Sequence, residues 1–203
     1  MGRRLCAELI RRGHTVRGLV RSGSEPSLPP GCEAVIGNPP DAAAYRERVA
    51  PADTFVQLVG VSHPSPAKAA QFRTVDLASA RAGVAAAVWA GVPHFVYVSV
   101  AHPAPIMREY IAARTEAEEA IRASGLNATI LRPWYVLGPG RRWPLVLRPV
   151  YWVLDAVPGT RESARRLGLV KLEQMVETMA RAVERPASAV RVLETPQIRT
   201  GQL

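Results

Sequence analysis

Apolar positions along the chain fall into two alternating rhythms. Leu5, Leu9 and Ile10 form one stripe of a helix that ends at Gly13, and residues 15–20 then read as a strand. Further short, apolar, β-rich runs at 34–36, 55–59, 95–100, 128–131 and 190–193 are expected strands. Helical spacing predicts helices over 42–49, 69–90, 106–124 and 172–184. Segments 22–31 and 61–67 are rich in Pro, Ser and Gly and are expected loops. The fold class is therefore α/β. The 69–90 helix is Ala-rich, with Val75, Ala78, Ala82 and Ala86 on one face, which suits close packing on a sheet and assigns it a structural role.

The chain is organised around residues 94–140. The run 95–100 has the pattern of a strand buried on both faces. Pro103 and Pro105 break it. Ile106, Tyr110, Ala113, Ala117 and Ile121 then recur at helical spacing, Glu118 and Arg122 can pair one turn apart, and Gly125 is a natural cap. The next strand ends at Arg132-Pro133. Tyr110 and Arg114 lie one turn apart on the same helix face. A phenol and a cation held side by side at a strand's carboxyl end suggest a proton-transfer site.

These residues resemble the short-chain dehydrogenase/reductase superfamily, most closely its atypical, NmrA-like NAD(P)H-binding branch. That family carries Tyr-x-x-x-Lys on this helix, a Ser-rich end on the preceding strand and Arg-Pro after the next. Here the matching residues are Tyr110-Ile-Ala-Ala-Arg114, Ser99 and Arg132-Pro133. The resemblance implies a Rossmann-like, doubly wound parallel sheet with a small C-terminal substrate lobe. It also implies Tyr110 as general acid or base, Arg114 in place of the lysine, and Ser99 as the hydroxyl that holds substrate. Two positions depart from the pattern. Arg114 keeps the positive charge but is planar and cannot enter a proton relay at ordinary pH. Ser99 aligns one residue before the usual serine, where Val100 stands.

By the same resemblance, the opening helix and strand are the second and third elements of a dinucleotide-binding unit. The first strand and most of its glycine turn are missing from the sequence, which is expected to be N-terminally truncated. Without that strand a central slot of the sheet is expected to have unpaired backbone groups, or its neighbours must close up. Gly2 would be the last glycine of the turn, the one for close helix–strand packing. The alternative is a different fold that merely begins with a helix. The implied cofactor-binding residues are Gly2, Arg21, Ser22, Asn38, Leu58, Val59, Gly60, Arg114 and Pro133. Where an NAD-preferring protein has an acidic residue for the ribose 2′-hydroxyl, this chain offers Arg21 and Ser22, which favours NADP (NADPH) over NAD.

Composition adds limits. The length of 203 residues suits one domain, 1–203, with 141–170 and 171–203 contributing the C-terminal lobe. Net charge is +9, and 24 of the 26 basic residues are Arg. That excess reads either as codon bias or as a match to an anionic partner; the arginines are scattered and no nucleic-acid recognition motif is present. Cys6 and Cys32 form no metal-ligand spacing, so no metal site is expected. The most apolar stretch, 143–157, is interrupted by Arg148, Pro149 and Asp155 and is too short to span a bilayer. A cytoplasmic protein is expected. In the family the region of Trp143, Leu147, Tyr151, Trp152 and Leu154 lies over the cofactor; the alternative is ordinary core. Arg161, Arg165 and Arg166 are a solvated face or an anion clamp. Two functions remain open: an NADP-dependent oxidoreductase or epimerase-like enzyme acting on a small carbonyl or sugar-like compound, or a non-catalytic cofactor-sensing or assembly protein. A homodimer or a protein partner fits either.

Overall fold

The computed structural model describes residues 1–103, 107–138 and 168–203. The apolar run 143–157 and Arg161, Arg165 and Arg166 lie outside the described residues, as do 104–106.

The described chain is a three-layer α/β/α arrangement. Helix α1 (Gly2–Arg11) precedes strands β1 (Val16–Val20), β2 (Cys32–Ile36) and β3 (Thr54–Gln57). The 42–49 segment forms two short 3-10 turns, Ala42–Ala44 and Arg46–Arg48. A helix opens at Ala69–Gln71, widens into a π-helical turn at Phe72–Leu77 and continues as α2 (Ala78–Trp89). Then come β4 (His94–Val98), α3 (Arg108–Ala123), β5 (Asn127–Arg132) and the short β6 (Tyr135–Leu137). The chain closes with β7 (Leu169–Lys171), α4 (Leu172–Glu184), β8 (Val190–Glu194) and α5 (Thr195–Thr200). Gly125 takes φ +74 just past α3, the left-handed conformation that glycine adopts without a Cβ penalty.

Among the described residues every strand pair is parallel. The central strands form two pieces, β2-β1 and β3-β4-β5-β8, and β6 pairs with β7. Between β1 and β3 no ladder runs among the described residues. Arg17 of β1 instead donates to the carbonyls of Arg48 (2.7 Å), Val49 (2.6 Å) and Ala50 (3.1 Å), just ahead of β3. Residues 172–194, which the sequence places in a C-terminal lobe, join this architecture directly: β8 extends the sheet beside β5, and α4 covers it.

Strand parity sorts the core. Phe95 and Tyr97 of β4 face α2 and α3, in a cluster with Phe72, Ala113, Ala117 and Ile121. Val96 and Val98 face the opposite side, with Leu5 and Leu9 of α1 and Met175 and Met179 of α4. Burying both faces explains the unbroken apolar run of β4. Phe55 stacks on Phe95 with ring centroids 5.3 Å apart, and Gly83 of α2 lies against that pair. Among the described residues no helix is long and apolar enough to cross a membrane.

Candidate active site

Several of the sequence-identified positions lie just past the carboxyl ends of parallel strands. Arg21 and Ser22 follow β1, Asn38 follows β2, Leu58, Val59 and Gly60 follow β3, and Ser99 follows β4. That edge is where doubly wound sheets bind ligands. Arg21, Ser22, Asn38 and Gly60 are exposed there, so a dinucleotide could reach them. Gly2 starts α1; a Cβ on it would meet Leu58 Cδ1 at 3.8 Å, an ordinary contact. Pro133 is buried, and its carbonyl accepts a hydrogen bond from the Ala101 amide at 3.0 Å.

Tyr110 and Arg114 meet as their spacing on α3 requires. The guanidinium carbon lies 5.1 Å from the Tyr110 ring centroid, and Phe72 packs edge-on against the same ring at 5.0 Å. The Tyr110 hydroxyl has no hydrogen-bond partner among the described residues. Arg114 itself is 6% exposed and fully engaged at its tip. One terminal nitrogen donates to the Val98 carbonyl at 2.8 Å and to Tyr97 Oη at 3.3 Å; the other donates to Asp76 Oδ1 at 2.5 Å. Its Nε is buried without a partner. Burial alone would lower the Arg114 pKa, but Tyr97, Tyr110 and Asp76 around it raise it, so the group stays cationic. Burial pushes Tyr97 up to about 12, against the opposing pull of Arg114, so its phenol stays neutral.

Gly60 shows why this cluster needs a glycine. A Cβ there would collide with the Arg114 terminal nitrogen and would sit 2.9 Å from Asp76 Oδ1. The sequence assigned that glycine to close approach of the cofactor; the structure adds that Arg114 and Asp76 also approach it.

Ser99 belongs to a second cluster. Its Oγ donates to Glu118 Oε1 at 2.6 Å, and Glu118 also accepts from Arg132 Nε at 3.0 Å and from its terminal nitrogen at 2.5 Å. His102 Nε2 lies 3.4 Å from the same carboxylate, and Arg132 reaches on to Glu194 at 3.0 Å. Burial opposes the Glu118 charge, but the bonds from Arg132 and Ser99 win and hold its carboxyl below the usual range. The expected Glu118–Arg122 pair exists at 3.8 Å, with Arg122 as the outer, weaker partner. The structure thus joins Tyr110 with Arg114 and places Ser99 with Glu118.

Three residues of these clusters escaped the sequence reading: Asp76, Tyr97 and the buried role of Glu118. The signal for Asp76 was present, a lone acid one turn from Phe72 on the buried side of an Ala-rich helix. Glu118 lies one turn beyond Arg114, which put it on the site face of α3.

A parallel three-layer sandwich with polar groups and an exposed glycine gathered at the carboxyl edge of its sheet defines a dinucleotide-binding class of protein. Residues 1–142 match the NAD(P)H-binding family, and the chain belongs to it. A ceramide reductase of Caulobacter vibrioides is 30% identical over 144 residues, 69% of this chain; the chain spans 44% of that relative's length. Two solved structures share the fold: a short-chain dehydrogenase/reductase superfamily protein from Agrobacterium tumefaciens with bound NAD, and a UDP-glucuronic acid 4-epimerase from Bacillus cereus in complex with NAD. The first has a TM-score of 0.67 at 20% identity, covering 95% of this chain and 74% of that one. The second has a TM-score of 0.66 at 14% identity, covering 95% and 73%.

Proposed function

We propose that this NAD(P)H-binding protein is an oxidoreductase or epimerase-like enzyme in which Tyr110 is the acid–base group and Arg114 holds its surroundings. The observation that carries the reading is the hydroxyl of the half-buried Tyr110, without a hydrogen-bond partner among the described residues, beside a buried cation at the carboxyl end of β4. When bound, the nicotinamide supplies or accepts the hydride. Tyr110 Oη then gives a proton to, or takes it from, the substrate oxygen. Arg21 and Ser22, exposed after β1, support NADP over NAD, because a guanidinium pairs with a 2′-phosphate. A small carbonyl compound or sugar derivative is the proposed substrate, and a cytoplasmic location accompanies the reading.

The test is NADPH and NADH oxidation over a carbonyl panel that includes ceramide-related ketones and nucleotide sugars, with Tyr110→Phe alongside. Turnover that falls at least about a hundredfold in Tyr110→Phe supports the role, that being the usual size of an acid–base contribution. Equal rates would remove Tyr110 from the mechanism, and tighter binding of NADH than NADPH would remove the Arg21 argument.

One observation favours a second reading. The Ser99 hydroxyl donates its hydrogen bond to Glu118, and the tip donors of Arg114 are spent on Asp76, Val98 and Tyr97. Ser99 and the Arg114 tip engaged in this way suit a cofactor-sensing or assembly protein. That reading expects nucleotide binding without turnover on any member of the panel.

A further inference from the structure

We propose that Asp76 is a positioning residue of the Tyr110 site, which neutralises Arg114 and ties the loop after β3 to it. The proposal rests on the reading of Tyr110 as the acid–base group.

Both carboxylate oxygens of Asp76 are committed. Oδ1 accepts from Arg114 at 2.5 Å, and Oδ2 accepts from the Val61 amide at 2.9 Å. The Asp76 side chain is 0% exposed and that of Arg114 is 7%. Val61 directly follows Gly60, whose missing Cβ leaves the room in which the ion pair sits. One carboxylate therefore links three parts of the site: the loop after β3, the helix α3 and, through Arg114, the carboxyl end of β4. The π-helical turn Phe72–Leu77 makes this possible. It presents Phe72 to the Tyr110 ring and Asp76 to Arg114 from the same short segment. Such widened turns recur where a helix must aim side chains at a site.

A buried ion pair is a poor device for stability alone, since well-packed apolar residues of similar volume do as well or better. Its electrostatic consequence is specific. Among the described residues, the charged and titratable groups around Tyr110 are Arg114 from its own helix, Asp76 from the π-helical turn and Tyr97 from β4. With Asp76 in place, the cation beside the phenol carries a countercharge. Without it, the unbalanced guanidinium would favour tyrosinate.

The experiment follows tyrosinate formation at 295 nm as pH rises, for the parent, Asp76→Asn, Arg114→Gln and the double variant. Each is measured against the same background carrying Tyr110→Phe, so that only the Tyr110 step is read. Asp76→Asn leaves a bare cation, and the step should move down by about one pH unit; Arg114→Gln leaves a bare anion, and it should move up by about as much. The double variant carries no charge at the pair and should titrate with the parent. Coincident Tyr110 steps in the parent and either single variant would overturn the proposal. Should a single variant not fold, a double variant that titrates away from the parent would overturn it equally. The readout needs no turnover, so the two readings fail separately. Displaced titrations without turnover on the panel would sink the enzyme reading and leave Asp76 in its role; turnover without displacement would do the reverse.

Discussion

Replacing Gly60 by alanine tests the locked state of Arg114. The new Cβ would collide with the Arg114 terminal nitrogen and would lie 2.9 Å from Asp76 Oδ1. The far end of an exposed arginine would swing away at little cost. This one is held by the Val98 carbonyl at 2.8 Å, Tyr97 Oη at 3.3 Å and Asp76 at 2.5 Å, inside the core. Moving it leaves Asp76 buried without its countercharge, and breaking such a pair costs about 3–5 kcal/mol. Backbone relaxation around the exposed Gly60 recovers part of that, so a loss of about 3 kcal/mol is expected. Urea unfolding at pH 7.5 measures it as a lower midpoint at unchanged slope. Gly2→Ala is the control: its Cβ meets only Leu58 Cδ1, at 3.8 Å, and a change within about 0.5 kcal/mol is expected. In an Arg114→Ala background the Gly60→Ala penalty should largely vanish, because the two residues are in contact and their effects couple. A Gly60→Ala protein as stable as the parent, or an undiminished penalty without the guanidinium, would refute the geometry.

Two further outcomes follow from buried groups elsewhere. His94 is 1% exposed between Thr54 Oγ1 (3.3 Å) and Thr129 Oγ1 (3.1 Å), and burial, aided by Arg191, lowers its pKa to about 4. The unfolded chain takes up this proton near pH 6.5 and the folded chain only near 4, so stability is full above 6.5 and falls as pH drops through that window, by about 3 kcal/mol in all. Urea midpoints compared between pH 7.5 and 5 should fall more steeply for the parent than for His94→Gln; parallel lines would show that His94 is not the group titrating. Glu118→Gln removes the charge that holds Arg132 and Ser99, and about 3 kcal/mol of stability should go with it, read as a lower Tm; an unchanged Tm would mean that Arg132 finds its partner in Glu194 alone.

The order of the longer elements was legible because it is written in local periodicity; the 42–49 run, expected as a helix, forms only two 3-10 turns, and the short β6, β7 and α5 were not expected. The β4 run is apolar throughout because both its faces are covered, and Tyr110 and Arg114 are one turn apart whatever surrounds them. Arg122 also found Glu118, as their spacing required. Local pattern could not say which partner of Glu118 is the stronger, since Arg132 and Ser99 approach from strands fourteen and nineteen residues away in sequence. Nor could it say that Asp76 crosses from one helix to another to meet Arg114.

The sequence by itself determined the α/β class, the family and the helix face that carries Tyr110 and Arg114, since these depend on residue type and spacing along one element. Only the tertiary structure decided the charge around that pair. It brought Asp76 from the π-helical turn and the backbone of Gly60 against Arg114, and it turned Ser99 to Glu118. Those choices depend on which buried charges can reach a counterion, and in a medium that penalises unpaired charge, distance through space outweighs distance along the chain.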